Sequence, residues 1–207
     1  MASQGHTLRI DAFSSITRIL DAARRVFATG DGAGTLDRIA REAGVGIATL
    51  YRHFPNRQTL ARAVYERIFT EEIQPILAQI SDGDAPRPVL LDVAERLSDI
   101  AQRERGLVSS IGNLTEATTE LLQRSTEAIT PIVQRAQQAG TIRPDIDADD
   151  IPHLLAMVAA ALGVLDADRT TRRRYLSLLL DALNPAQATP LPTRQPRRPA
   201  KRGPTRT

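Results

Sequence analysis

Residues 35–54 read TLDRIAREAGVGIATLYRHF, from Thr35 to Phe54, and this stretch decides the fold. Leu36, Ile39 and Ala40 recur at helical spacing and give a first short helix one apolar face. Thr35 stands where an N-cap belongs, with a hydroxyl able to accept from a free backbone N–H; Arg38 occupies the place a capping-box Glu would take. Ala43-Gly44-Val45-Gly46 is the turn. Gly44 supplies the positive φ of a sharp reversal, and Val45 plugs the angle between two helices. The second helix is short. Leu50 and Phe54, four apart, face inward, which leaves Ile47, Ala48, Thr49, Tyr51 and His53 pointing out. An exposed Tyr among Thr, Arg and His suits a helix lying in a DNA groove better than a bare solvent face.

Upstream, residues 1–12 carry no strong pattern and are expected to be frayed, with Arg9 a weak candidate for a basic arm. Ile16, Ile19, Leu20, Ala23, Val26 and Phe27 then mark a helix over 14–29, closed by Gly30. The glycine-rich Asp31 to Gly34 lacks a preceding strand and a following Lys-Ser/Thr, so it is a connector and not a phosphate loop. Downstream, Pro55 breaks the short helix and Asn56 caps the next, which runs over 57–80 with a kink at Pro75. Residues 81–88 form a loop. Further helices are expected over 88–103, in a short apolar stretch at 106–111, over 115–139 with a kink at Pro131, over 148–165 and over 169–183. The fold class is therefore all-α with about nine helices: a three-helix N-terminal DNA-binding head, 1–57, and a helical body, 58–184. The Pro-, Thr-, Arg- and Gln-rich residues 185–207 form an expected disordered basic tail.

Thr49-Leu50-Tyr51-Arg52-His53-Phe54-Pro55-Asn56-Arg57-Gln58-Thr59-Leu60 resembles the signature of the TetR family of transcriptional regulators. That motif runs Thr-Leu-Tyr-x-His-Phe, then a short turn, a basic residue and a Leu, and the resemblance spans about Ile16 to Leu60. Arg57 departs from the family, where Lys is more frequent, but keeps the charge. The segment from Ala136 to Asp150, followed by Arg172 to Leu183, is similar to the SbtR-like sensor domains of that family. The resemblance implies a homodimer, formed by the last two helices, that binds a palindromic double-stranded operator and is released by a small-molecule effector of unknown identity. Repression is the family's commoner mode. On this head, Ile47, Ala48, Thr49 and Tyr51 are expected to face base edges and sugar, and Thr35, Tyr51, His53 and Arg57 to hold phosphates. Only Arg52 on this helix is a natural bidentate reader of guanine, so specificity rests on few direct contacts and on DNA shape. In the body, Arg96, Asn113, Thr118 and His153 fall near or between apolar stripes and are the candidate polar groups of a ligand pocket.

Charge and composition agree with a nucleic-acid-binding head on a sensor body. Residues 1–70 carry a net +4, residues 71–193 a net −7, and residues 194–207 a net +6. There is no Cys, and the three His are scattered, which argues against a His-based metal site; no metal or other cofactor is expected. No 18-residue apolar run or secretory signal is found, so no membrane partner is expected and the location is expected to be cytoplasmic. No nucleophile–His–acid constellation or nucleotide loop argues for an enzyme. Small and apolar residues over 148–165 and 169–183 exceed what one packed face needs; they suit a four-helix interface between two chains, or else complete a monomer core. The competing function is a helical DNA-architectural or interaction protein without a ligand, supported by the basic tail.

Overall fold

The computed structural model describes residues 3–29, 35–78, 86–165 and 167–192, with backbone alone at 3–13, 86–87 and 187. Among the described residues there are eleven α-helices, one 3-10 turn and no strand. The head comprises α1 (Ser3–Ala28), α2 (Leu36–Ala43), α3 (Ile47–His53) and the start of α4 (Arg57–Glu72). The body adds α5 (Gln74–Ala78), α6 (Pro86–Arg103), α7 (Arg105–Ile111), α8 (Leu114–Gln123), α9 (Thr126–Gln138), α10 (Asp150–Gly163) and α11 (Arg169–Asp181).

The head folds as its pattern requires. Thr35 Oγ1 accepts from the backbone N–H of Arg38 at 3.2 Å, and Gly44 takes φ 64° at the turn. Ile19, Ala23, Val26, Phe27, Ile39, Leu50 and Leu60 are buried in one cluster. The first helix is longer than its pattern suggests: it begins at Ser3, so residues 3–12, expected to be frayed, are helical. The expected closure at Gly30, the connector 31–34 and the inner position Ile80 lie outside the described residues.

Two long helices of the sequence reading are each two helices. α4 ends at Glu72 and α5 starts at Gln74, because Pro75 offers no N–H to the carbonyl of Glu71. The expected helix over 115–139 breaks at Arg124-Ser125, six residues before Pro131, which sits inside α9. There the Thr126 hydroxyl donates to the carbonyl of Gln123 at 2.6 Å, a side-chain bond that competes with the helical ladder. These two breaks turn about nine helices into eleven.

In the body, α10 packs chiefly on α6 and α8, and α11 on α6. Leu155, Val158, Leu162, Leu176 and Leu180 fill the seam. The outer faces of α10 and α11 are apolar and open: Met157, Val164, Tyr175, Leu178 and Leu179 are exposed, Val164 to 81 % and Leu178 to 59 %. Residues 185–192, expected to be disordered, follow a defined path. Pro185–Gln187 form a 3-10 turn, and the Asp145 carboxylate accepts from the Leu191 backbone N–H at 2.9 Å. Arg143 donates to Asp145 and also to the Thr189 carbonyl; its bond to Asp145, with that from the Leu191 N–H, holds the Asp145 carboxyl well below the usual carboxylate range. The remainder of the expected tail, 193–207, lies outside the described residues.

The head meets the body through α1 and α4, both of which pack against α7. Arg24 on α1 reaches Glu104 at 2.6 Å, and Glu72 at the end of α4 meets Arg103 at 2.7 Å and Arg96 at 2.8 Å. The boundary expected between 57 and 58 falls inside the first turn of α4, a helix shared by both parts.

Candidate nucleic-acid interface

The geometry begins with the two faces of α3. Leu50 is wholly buried and Phe54, four residues on, nearly so, which anchors the helix in the hydrophobic core beside α2. The opposite face is then set by the 3.6-residue period. Ile47 is 37 % exposed and Tyr51 49 %, while Ala48 and Arg52 are also exposed and Thr49 is half-buried. Thr35, at the start of α2, is exposed as well. Large apolar and aromatic side chains stand in water here although the head's own core is complete without them.

Three of the expected contacts are less open than expected: Thr49, half-buried on α3, and His53 and Arg57. His53, expected to point outward, is half-buried beside Phe54, with ring centroids 6.3 Å apart. Its Nε2 is shielded from solvent and has no hydrogen-bond partner. It lies three residues after the buried Leu50, about 60° round the helix from it, and so sits at the edge of the buried face. Arg57 is likewise half-buried and turned toward the body. Its Nε–H donates to Ser110 Oγ on α7 at 3.2 Å, and its guanidinium carbon lies 4.7 Å from the centre of the Phe27 ring. The next residue, Gln58, donates from its amide to the Ile111 carbonyl at 2.9 Å. Gly112 follows with φ 87°, and a β-carbon there would come within 2.6 Å of the Gln58 amide nitrogen. The ties from Arg57 and Gln58 to α7 were not legible in the sequence. Each joins residues 53 apart, with no local pattern to announce it.

The four polar residues expected to line one pocket do not come together. Arg96 is at the surface in its ion pair with Glu72. Asn113 caps α8, accepting from the Glu116 N–H at 3.1 Å. Thr118 is fully buried, its hydroxyl 2.7 Å from that of Tyr65. Burial pushes the Tyr65 phenol up to about 12, with the Thr118 bond opposing the shift. His153 alone lines a cavity, one of about 680 Å³ between α10, α11 and residues 191–192, floored by Leu154, Met157, Leu179 and Leu183. Spacing along separate helices did not reveal that caps and pairs had already claimed the other three. A second cavity, of about 380 Å³, lies behind α7, lined by Ala101, Arg105, Val108, Ser109, Leu114, Ala160, Gly163 and Val164. Among the described residues no acidic, His or Cys cluster could hold a metal ion, and no helix is long and apolar enough to cross a membrane.

Comparison with known proteins bears directly on this head and body. Residues 19–64 match the family described as bacterial regulatory proteins, tetR family, and residues 85–185 match the transcriptional regulator SbtR-like C-terminal domain. An uncharacterized HTH-type transcriptional regulator of Mycobacterium tuberculosis, MT1294, is 40 % identical over 75 residues, which is 36 % of this chain. The chain thus spans about a third, 37 %, of the length of that curated relative. Among solved structures, the TetR transcriptional regulator SCO0520 of Streptomyces coelicolor is 33 % identical, with 83 % of this chain and 99 % of that one covered and a TM-score of 0.51. RolR, crystallised with resorcinol, shares the fold with a TM-score of 0.66 at 20 % identity, over 84 % of this chain and 89 % of that one. Proteins of this kind are DNA-binding regulators and not enzymes. An all-helical head that presents Ile47, Ala48 and Tyr51 from a short second helix, joined to an SbtR-like body, thus has its family: the chain belongs to the TetR family of transcriptional regulators.

Proposed function

We propose that the chain is a cytoplasmic repressor that binds a palindromic operator as a homodimer and is released by a small-molecule effector. The observation that carries the DNA-reading part is the outer face of α3, where Ile47, Ala48 and Tyr51 are exposed on a head with a finished core. Ile47 and Ala48 meet thymine methyls in the major groove; Thr49 and Tyr51 meet base edges and sugar. Thr35, Tyr51, His53 and Arg57 meet phosphates, His53 after its ring turns outward. Two heads related by a two-fold axis read half-sites about 34–36 Å apart, or a near multiple of that.

The exposed apolar faces of α10 and α11 support the dimer, since two copies stacked on them bury Met157, Tyr175, Leu178 and Leu179 together. For the effector, the cavity behind α7 is the better placed of the two described above. At about 100° per residue, Arg105, Val108 and Ser109 on the cavity side lie opposite Leu107, Ser110 and Ile111, which face the head. An occupant there bears on the helix that both α1 and α4 touch. The lining, one guanidinium and one hydroxyl among apolar groups, suits a compact apolar acid.

The test is an electrophoretic shift assay with Tyr51→Ala and Arg57→Ala on DNA selected by the wild-type protein. Weaker binding by both variants, with the fold retained, is the expected result; unchanged affinity for both contradicts the reading. Residues 194–207, with six cations and no acid, support a second reading, an architectural DNA-binding protein without an effector. Binding with little sequence preference that disappears when the tail is removed would favour it.

A further inference from the structure

Arg57 links the DNA-reading head to the body. It is the first residue of α4, two residues after the Pro55 that follows α3, and so stands next to the recognition helix in the chain. An arginine at an exposed helix start samples many rotamers, and ordering it on a phosphate costs side-chain entropy. In this chain that cost is met in advance. Ser110 holds the guanidinium at Nε, and Phe27 lies against one of its faces. The Ser110 hydroxyl is itself oriented, because it donates to the Gly106 carbonyl at 3.1 Å and so presents a lone pair to Arg57. The bond from the Gln58 amide to the Ile111 carbonyl ties α7 to α4 one residue further on. A residue of the body thereby joins Phe27 of the head in orienting the guanidinium.

We propose that Ser110 is a positioning residue for operator binding: from α7 it orients Arg57 for the DNA backbone, so a displacement of α7 is felt as a weaker phosphate contact. The inference rests on the reading of Arg57 as a phosphate contact. It extends that reading to a residue of the body that touches no DNA.

The test measures binding of the full chain to its selected duplex over a range of salt concentrations, for wild type, Arg57→Ala, Ser110→Ala, Ser110→Val, Ser110→Thr and the Arg57→Ala/Ser110→Ala double variant. Arg57→Ala should weaken binding about tenfold and lower the slope of log K against log salt by about two per dimer, one phosphate per head. Ser110→Ala and Ser110→Val should weaken binding about threefold with a smaller drop in slope, and Ser110→Thr, which keeps the hydroxyl, should stay near wild type. The double variant should bind no more weakly than Arg57→Ala alone. A merely structural role for Ser110 would move the melting temperature and leave the salt slope unchanged. Wild-type affinity and slope in Ser110→Ala and Ser110→Val, beside a weakened Arg57→Ala, overturns the inference and spares the phosphate reading. So does a double variant weakened by the product of the two single effects. A wild-type slope in Arg57→Ala overturns the phosphate reading itself, and the inference with it.

Discussion

Tyr51 is exposed on one face of α3 while Leu50, its neighbour in sequence, is fully buried. That contrast separates the residues that hold the head together from those that read DNA. Tyr51→Ala should leave the melting temperature nearly unchanged, since substitutions at such surface positions alter stability by about 0.5 kcal/mol or less. Its operator affinity should fall about tenfold in a shift assay. Tyr65 is the opposite case, a phenol buried with Thr118 as its partner. Burial favours the neutral phenol and raises its pKa to about 12 from an ordinary value near 10. The stability this contributes is complete below about pH 10 and is lost as pH rises toward 12, because the unfolded chain releases its proton first. Denaturant unfolding over that range should show a shallower decline in Tyr65→Phe than in wild type. The same variant should lose about 1 kcal/mol at pH 7, as the buried Thr118 hydroxyl loses its partner. Residues whose roles are set within one turn of helix were legible in the sequence: Thr35 as a cap, Gly44 as a left-handed reversal, Leu50 as core. His53 and Arg57 were not, since burial beside Phe54 decides the one and a hydroxyl 53 residues away decides the other.

At the scale of elements, periodicity located the helices, and proline chemistry predicted a kink at the place where one of the two breaks falls. Pro75 offers no N–H to the carbonyl of Glu71, and α4 and α5 separate there. Pro131 remains inside α9, and the chain instead breaks where the Thr126 hydroxyl takes up a backbone carbonyl. Contact between distant elements was beyond the pattern. Gly163 on α10 lies so close to α6 that a β-carbon there would come within 2.6 Å of the Ala101 β-carbon. Gly163→Ala should destabilise the body by about 1–3 kcal/mol through overpacking, despite the better helix propensity of alanine. Ala101→Gly in the same chain should recover part of the loss, a reversal that denaturant midpoints of the three variants would read directly.

For the whole molecule, the apolar faces of α10 and α11 and the charge-segregated chain point the same way. The sequence reading put excess apolar residues on these last two helices, and their outer faces are open in the single chain. Leu178, 59 % exposed, is the most exposed of the apolar residues on α11. Leu178→Glu should convert two-chain particles to single chains in sedimentation equilibrium without unfolding them, since the residue contributes little to its own chain's core. It should also weaken operator binding by far more than any single head contact, because one head alone forfeits the gain from tethering two. Selection of binding sequences from a random duplex pool at fixed salt tests the central claim most directly. The account predicts enrichment of a palindrome whose half-sites are separated by about one helical turn or a near multiple. Enrichment of no motif, with binding that falls steeply as salt rises, would contradict it.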